Sequence, residues 1–148
     1  MQASVPDVGL GVKQGVGEAA LHAVAHYARQ RVPTALGKPI AELPHIQRNI
    51  GHMQVLLAGA KSVLFDGARK WTERPECRAG MEAELATAKY LCTNAAIQVT
   101  DIALRTAGAS GLDRRLPLER LLRDARAGLM HPPQDEAALA LIGRKVIG

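Results

Sequence analysis

The sequence predicts an all-α protein, an up-and-down four-helix bundle in which the last helix is broken at Pro132-Pro133. Composition is the first reason. Aromatic residues make up 3% of the chain and apolar residues 47%, so the core must be built from Ala, Leu, Val and Ile, which favours helices. The second reason is that apolar residues recur at helical spacing in four segments. Short turns join these segments, so neighbouring helices should run antiparallel.

The first predicted helix runs from about residue 8 to 31. Its apolar positions repeat at helical spacing: Val16, Ala20, Val24, Tyr27 and Ala28. Val32-Pro33 and Gly37 end it. Four glycines lie near its start and follow no predicted strand: Gly9, Gly11, Gly15 and Gly17. They therefore indicate a close-packed helix start rather than a phosphate-binding loop.

The second and third predicted helices are long. The second, from about residue 39 to 72, has the strongest periodicity in the chain: Leu43, Ile46, Ile50, Met53, Leu57, Ala60, Leu64, Ala68 and Trp71. The third, from about residue 78 to 107, follows the turn "TERPEC" and has its own stripe: Met81, Leu85, Ala88, Cys92, Ala95, Val99 and Ile102. From these stripes we expect five residues to be buried: Leu57, Leu64, Leu85, Val99 and Ile102.

The fourth predicted helix is interrupted. The stretch "GASGLDRR" (108–115) is a loop by its Gly, Ser and Asp content. The helix starts near Pro117, a good residue for a first turn, breaks at Pro132-Pro133 and resumes to about residue 147. Asp135 and Glu136 follow the break, where a new helix would use acidic residues as N-terminal caps.

Length and charge restrict the function only loosely. A chain of 148 residues has the size of one domain, and we expect residues 1–148 to form one core. The net charge of +5 suits a nucleic acid, an acidic membrane, a phosphate-bearing ligand or simply a solvated surface. Arginines are spread along every predicted helix, and no aromatic residues are interleaved with them for base stacking. Nucleic-acid binding is therefore the weakest of these hypotheses.

The sequence has no targeting signal that we recognise. Its start, "MQASVPDVGLGVKQG", lacks a basic segment followed by an apolar run, and no apolar stretch approaches the roughly 20 residues that span a bilayer. Cys77 and Cys92 are isolated and form no CxxC pair. We therefore expect a soluble cytoplasmic protein with no disulfide and no membrane association.

Histidine and arginine patterns offer two further candidate sites. His22 and His26 share a helix face, but neither an HExxH pattern nor a third ligand accompanies them, so no metal site is predicted. Arg120, Arg123 and Arg126 are spaced by three and could clamp an anion. The alternative is ion pairing on the helix surface, because Glu119–Arg123 and Arg120–Asp124 are i, i+4 pairs.

Two blocks of the sequence resemble a known family. The stretch "LPLERLLRDAR" (116–126), preceded by a glycine-bearing loop, resembles the last helical hairpin of the acyl-CoA dehydrogenase C-terminal domain. "YARQR" followed by "GKPIAELPHIQ" (27–31 and 37–47) resembles the junction between that domain's first and second helices. The spacing between the blocks also fits, and the resemblance extends from about residue 8 to 148. It implies a four-helix bundle, in agreement with the periodicity.

The resemblance implies a role in a larger flavoenzyme. A complete enzyme of this family also has an N-terminal helical domain and a middle β domain, both absent from this sequence. The flavin of FAD lies between the β domain and the bundle, and the bundle of a neighbouring subunit partly holds its pyrophosphate and adenosine. We therefore expect FAD contacts, a homo-oligomer, and dependence on the missing domains or on a partner chain that supplies them. The chain alone should be inactive.

The resemblance also implies six cofactor-binding positions: Arg31, Leu36, Gln47, Gly108, Ala109 and Gly111. Arg31 matches an arginine aimed at the FAD pyrophosphate, and Leu36 takes the place of a phenylalanine. Gly108 matches the first glycine of a Gly-Gly pair whose backbone approaches the cofactor, with Ala109 in the second position. Between Arg31 and Gly37 this sequence has two extra residues.

The break in the fourth helix coincides with the family's catalytic position. Gapless alignment from "RDAR" places Pro132 where the dehydrogenases have the glutamate that removes the α-proton of the acyl thioester. Proline has no ionisable side chain. The family's other base position, near the start of the first helix, aligns loosely with Val5, which cannot serve either. The adjacent His131 is the candidate catalytic residue, because imidazole can act as a general base.

Together these features predict the C-terminal bundle of an acyl-CoA dehydrogenase-like, FAD-dependent oxidoreductase acting on CH-CH groups, with roles in FAD contact and oligomerisation. Two alternatives of the same ancestry stay open. One is a helical module that acts only in assembly. The other is the corresponding domain of a flavin monooxygenase of this fold, since those enzymes also lack the glutamate.

Overall fold

The computed structural model describes the backbone of residues 8–148 and the side chains from Lys13 onwards. Within this part of the chain there are five α-helices: α1 (Val8–Gln30), α2 (Pro44–Glu73), α3 (Glu82–Ala107), α4 (Leu118–Ala127) and α5 (Asp135–Ile147). Short 3₁₀ turns occupy much of the connections, and the described residues contain no β-strand. The predicted all-α class is confirmed.

Two helix starts differ from the sequence prediction. The second helix begins at Pro44 rather than near residue 39, because a 3₁₀ turn, Ile40–Glu42, comes first and Pro44 takes the first-turn position. The third begins at Glu82 rather than near 78, after the 3₁₀ turn Pro75–Gly80. Arg78 fixes that turn. Its Nε donates to the carbonyl oxygen of Trp71 at 2.8 Å, and its guanidinium lies 5.1 Å from the centre of the Trp71 ring.

Helix α3 is the centre of the bundle, and the other four helices all pack against it. Two contacts show that α2 runs antiparallel to α3. Asn49 Nδ2 donates to Thr106 Oγ1 at 3.2 Å, whereas Cys92 Sγ lies 3.8 Å from the carbonyl oxygen of Ala60. The start of α2 is therefore next to the end of α3, as the up-and-down arrangement requires.

The last two helices are the halves of one interrupted fourth helix. Gly128, just after α4, packs against Thr93 in the middle of α3, and Lys145 near the end of α5 binds Glu84 near the start of α3. Both α4 and α5 therefore run antiparallel to α3 and follow each other along its length. The break that Pro132-Pro133 predicted is confirmed, and it lies level with the middle of α3, which Gly128 and Asp135 on either side contact.

The core is made of small and branched aliphatic residues. Its main cluster contains Ala20, Leu21, Val24, Met53, Leu57, Val99, Ala103, Ala107, Leu118 and Leu121. Of the five residues expected to be buried, Leu57 and Val99 are, whereas Leu64, Leu85 and Ile102 are only partly buried. Ala and Gly let the helices approach closely. A Cβ atom on Gly17 would lie 2.7 Å from Leu57 Cδ2.

This packing explains only part of the glycine series in α1. Gly17 is buried between α2 and α3, as a close-packed helix start predicts. Gly15 is exposed, and a Cβ added there would meet nothing within 4 Å. The backbone of Gly9 and Gly11 lies within α1, but their side-chain positions fall outside the described part of the structure.

Candidate functional site: a basic cleft and a broken helix

A surface cleft of about 300 Å³ lies where the end of α1 meets the connection between α3 and α4. Six residues line it: Tyr27, Arg31, Ser110, Asp113, Arg115 and Leu116. Tyr27 and Arg31 are one helical turn apart at the end of α1. Ser110 belongs to the 3₁₀ turn Gly108–Leu112, and the last three precede α4. The fold thus joins the two sequence blocks that carry the family resemblance.

Arg31 is the residue of this cleft best placed to bind an anion. Its backbone is held on both sides: its N–H donates to the Tyr27 carbonyl at 2.9 Å, and its own carbonyl accepts from the N–H of Ile40 at 3.0 Å. Its side chain is exposed, and it has no ion pair among the described residues. A guanidinium offers five N–H donors, so Arg31 presents an anchored, available cation.

The second arginine of the cleft is already neutralised. Asp113 accepts hydrogen bonds from the Arg115 backbone N–H at 2.9 Å, from Nε at 3.0 Å and from Nη2 at 2.6 Å. The hydrogen bonds from Arg115 lower the pKa of Asp113 to about 2. Asp113 therefore stays ionised at any physiological pH, and Arg115 adds little net charge to the cleft.

The turn after α3 has the two special glycines that the sequence indicated. Gly108 has φ +62°, a conformation that residues with a side chain rarely adopt, and its N–H donates to the Arg105 carbonyl. Gly111 is buried, and a Cβ atom there would lie 2.9 Å from the carbonyl oxygen of Leu104. Ala109 between them is exposed. Both glycines are thus required to shape the turn that positions Ser110.

Of the six predicted cofactor residues, only Arg31 lines the cleft directly. Gly108, Ala109 and Gly111 contribute the turn on which Ser110 sits. Leu36 is half-buried in the connection after α1. Gln47 uses its side chain locally, with Nε2 donating to the Ala41 carbonyl at 3.1 Å. The assignment of these six residues to a cofactor stays a prediction.

The sequence did not predict that Tyr27, Ser110 and the Asp113–Arg115 pair would line the cleft. Tyr27 could have been found, because it lies four residues before Arg31 and must share its helix face. The other three depend on how the 108–116 connection folds back against α1, which no local spacing in the sequence reveals.

His131 and Pro132 lie at the far end of α4 from the cleft. Both are exposed, and α4 with its ten residues separates them from the cleft by about 15 Å. The His131 backbone N–H donates weakly to the Gly128 carbonyl at 3.4 Å. Gly128 itself is buried, since a Cβ there would lie 3.0 Å from Thr93 Cγ2 and 3.1 Å from Lys13 Cε. The turn is therefore anchored at Gly128 while His131 and Pro132 face outwards.

Asp135 does not act as the helix cap that the sequence suggested. It is the first residue of α5, whose N-cap position is Gln134 and has no side-chain capping bond. Instead, Asp135 Oδ1 pairs with Lys89 Nζ at 3.0 Å, and Oδ2 accepts from Asn94 Nδ2 at 2.9 Å. Burial raises the pKa of Asp135, but the hydrogen bonds from Asn94 and Lys89 outweigh it, so the pKa lies below its ordinary value.

Within the described part of the chain, the arginine and histidine patterns noted in the sequence form neither a cleft nor a metal site. Arg123 pairs with Glu119 as predicted, whereas Arg120 and Asp124, both within the described part, form no ion pair. His22 and His26 are exposed. Among the described residues no group of three or more His, Cys, Asp or Glu side chains could hold a metal ion.

No helix within residues 8–148 is long and apolar enough to cross a membrane.

Comparison with known proteins identifies the class. Residues 10–147 match the family model described as "Acyl-CoA dehydrogenase, C-terminal domain". This match covers nearly the whole chain, so the chain belongs to the acyl-CoA dehydrogenase family and corresponds to its C-terminal helical domain. The resemblance read from the two sequence blocks is confirmed.

Individual relatives agree with this assignment. The chain is 38% identical over 135 residues to the proposed acyl-CoA dehydrogenase YdbM of Bacillus subtilis (strain 168), and this match covers 91% of the chain. It is 35% identical over 144 residues, 94% of the chain, to 3-sulfinopropanoyl-CoA desulfinase of Paraburkholderia xenovorans (strain LB400). Each match covers 34% of the relative, so the chain spans about a third of the length of these proteins.

A solved structure shows the same bundle. Butyryl-CoA dehydrogenase from Megasphaera elsdenii superposes with a TM-score of 0.84 at 25% identity, over 94% of this chain and 35% of that one. The bundle fold of this chain therefore recurs in a solved acyl-CoA dehydrogenase.

Proposed function

We propose that this chain is the C-terminal bundle of an FAD-dependent oxidoreductase of the acyl-CoA dehydrogenase family, and that it contributes FAD contacts and an oligomer interface. The cleft formed by Arg31 and Ser110 carries the proposal, because it brings Arg31 next to the 108–111 turn, and the resemblance assigns both to the cofactor. Such an enzyme needs the other domains, or a partner chain that supplies them. We place it in the cytoplasm, as the sequence predicts.

The cleft has suitable donors for a diphosphate. The available guanidinium of Arg31 offers several N–H groups and a full positive charge, and two residues that carry hydroxyls, Ser110 and Tyr27, line the same cleft. The exposed Gly108 has open space where a Cβ would stand, so its backbone can be approached closely. When bound, the flavin of FAD supplies the acceptor for a hydride. The role of this chain is to hold the cofactor's phosphates, with Arg31 as the main charge.

The residues at the break argue against the family's usual proton abstraction. The resemblance places Pro132 at the position of the catalytic glutamate, and proline cannot accept a proton. His131 is exposed beside it and is the one nearby side chain, of those described between Gly128 and Gln134, that could act as a base. A relative 35% identical to this chain is named for a desulfination. We therefore propose, as a second candidate, an enzyme whose reaction on an acyl thioester does not use a base at position 132.

An uncharged groove between α2 and α3 supports self-association. It has a volume of about 500 Å³ and is lined by Val55, Leu56, Gly59, Ala60, Val63, Tyr90, Leu91, Asn94, Ala95 and Gln98. Val55 is 69% exposed there. A charge-free face is unusual in a chain with 22% charged residues, and such faces commonly bind another protein surface. A second copy of the chain could cover this groove through a two-fold symmetric contact, in which both copies use the same surface.

Flavin retention tests the cofactor role. The chain is joined to the part of the Bacillus subtilis relative that it does not cover, and the flavin absorbance near 450 nm is measured per purified protein. We expect bound flavin in the parent and clearly less with Arg31→Ala. Arg120→Ala is the matched control, because Arg120 is an exposed arginine outside the cleft. A well-folded chimera without flavin, or equal flavin in both variants, would favour a module that acts only in assembly.

A further inference from the structure

We propose that Asp135 is a positioning residue for the exposed turn 129–134, and that it acts through its ion pair with the buried Lys89. The pair would set the geometry of the segment that contains His131 and Pro132. The link to catalysis rests on the proposed function, but the positioning itself concerns this chain alone and can be measured without a flavin.

Helix α5 has few apolar contacts to hold it in place. Within the described structure it packs mainly against α3, and Ala138 is its one fully buried residue. Leu139, Val146 and Ile147 are largely exposed, with Val146 at 82%. Since burial of apolar surface is the usual force that docks a helix, α5 must depend more than the other helices on polar contacts.

Those polar contacts are concentrated at the two ends of α5. At the far end, Lys145 binds Glu84 and the Gly80 carbonyl, and both partners are exposed to solvent. At the near end, Lys89 is only 4% exposed and pairs with Asp135, which is 26% exposed. Surface pairs contribute little to stability, whereas breaking this pair would leave the buried Lys89 charge without its carboxylate, which is costly. The near end is therefore the one that fixes the position of α5.

The geometry at Asp135 is specific. Its two carboxylate oxygens bind different residues of α3: Oδ1 binds Lys89 and Oδ2 binds Asn94. Asn94 is itself held, because its Nδ2 also donates to the Tyr90 carbonyl at 2.9 Å. Two separate hydrogen bonds to a carboxylate define its orientation as well as its distance.

The turn is thus anchored on both sides and free between them. Before it, Gly128 packs tightly against Thr93, since a Cβ atom added there would lie 3.0 Å from Thr93 Cγ2. After it, Asp135 is fixed to Lys89 and Asn94. Between these anchors His131 and Pro132 are exposed, and within the described part of the chain the turn between them has one weak backbone hydrogen bond, from His131 N–H to the Gly128 carbonyl. Their placement therefore depends on the two anchors rather than on contacts of their own.

Hydrogen exchange of this chain tests the proposal. In Asp135→Asn we expect amides of the peptide 128–138 to exchange roughly tenfold faster or more, while exchange in the body of α3 stays unchanged. The imidazole NMR signal of His131 should change from one resonance to a broadened or multiple set. Lys145→Met is the matched control, because it removes the exposed ion pair at the other end of α5 and should leave the peptide 128–138 unchanged.

A double variant separates positioning from stability. Lys89→Met with Asp135→Leu replaces the pair by apolar groups, which commonly restores or raises the melting temperature. Apolar contacts are not directional, so exchange in the peptide 128–138 should stay fast although the melting temperature recovers. If the double variant restores slow exchange together with stability, the ion pair is only a stabilising contact and the proposal is wrong. Unchanged exchange in Asp135→Asn would overturn it as well.

Discussion

A Cβ atom at Gly111 would lie 2.9 Å from the carbonyl oxygen of Leu104, closer than real side chains approach a backbone oxygen. The 3₁₀ turn after α3 therefore folds directly onto the last turns of that helix. This contact holds Ser110 at the cleft with Arg31. Gly111 is thus explained by packing within the bundle, whatever ligand the cleft binds.

The first prediction follows from this contact. Gly111→Ala should lower the free energy of unfolding by about 1–3 kcal/mol, because the added methyl group must displace the turn or the helix backbone. Gly51→Ala is the matched control. It lies exposed in α2, and a Cβ there meets nothing within 4 Å, so it should stabilise the protein by about 0.5–1 kcal/mol. Urea unfolding followed by circular dichroism measures both. If Gly111→Ala leaves the free energy of unfolding unchanged, the turn can relax to accommodate the added methyl group.

Much of the fold could be predicted from the sequence because helical periodicity is a local signal. The stripe in α2, from Ile46 to Leu64, needs only residue spacing, and the break needs only Pro132-Pro133. The cleft was predictable in part. Arg31 and the Gly108 turn were found through resemblance, but no spacing could show that Asp113 would neutralise Arg115.

The role of Asp135 at the break could likewise not be predicted from local sequence. The sequence places Asp135 at a helix start, and capping is the ordinary role of an acidic residue there. Whether its carboxylate turns towards its own backbone or towards α3 depends on the residue that faces it. That residue, Lys89, is 46 positions away in sequence and is almost fully buried. The sign available in the sequence was that Lys89 falls at helical spacing between Leu85 and Cys92 of the apolar stripe in α3, where a lysine would need a carboxylate to face it.

The second prediction concerns acid stability. Because the pKa of Asp135 is lowered in the folded chain, its ion pair contributes stability fully above the unfolded pKa of about 3.9 and loses it as pH falls through the folded value. Asp135→Asn should cost about 1.5–3 kcal/mol near pH 7, and the cost should shrink below about pH 4. Denaturant unfolding of both proteins between pH 7 and pH 3 measures this difference. A cost that is independent of pH would contradict the assignment.

The third prediction concerns the charge of the cleft. Arg31→Ala should weaken the binding of inorganic pyrophosphate by about tenfold, since a charge-assisted hydrogen bond contributes about 1.5 kcal/mol or more. Asp113→Asn should strengthen it by roughly threefold, because it frees Arg115 and removes a negative charge. Titration calorimetry at low and high salt measures both, and the differences should diminish as salt screens them. Equal affinities in all three proteins would show that the anion binds elsewhere.

The fourth prediction concerns the two cysteines. Cys77 is exposed, whereas Cys92 is fully buried and its burial raises the pKa of the thiol to about 11. At pH 8 roughly one Cys92 side chain in a thousand would be thiolate, so a thiol reagent should modify one cysteine quickly and the second only on unfolding. Counting the released chromophore with and without denaturant measures this. Cys77→Ser should abolish the fast phase, and rapid modification of Cys92 would indicate that α2 and α3 separate readily.

The last prediction addresses the break itself. In the chimera with the uncovered part of the Bacillus subtilis relative, Pro132→Glu should increase dehydrogenation of a short acyl-CoA by about 10²–10⁴-fold, the usual contribution of a general base. Residue 132 is exposed, so a glutamate can be accommodated there without displacing the core. Reduction of the bound flavin under anaerobic conditions measures the step directly.

His131→Ala in the same chimera tests the alternative base. If Pro132 leaves the site without a proton acceptor, the parent should reduce its flavin at a background rate, and His131→Ala should leave that rate unchanged. If the parent already turns over and His131→Ala abolishes it, the imidazole is the base. An effect of Pro132→Glu on flavin content rather than on rate would mean that the residue at this position affects cofactor binding. Measuring both quantities for each variant therefore distinguishes the three cases.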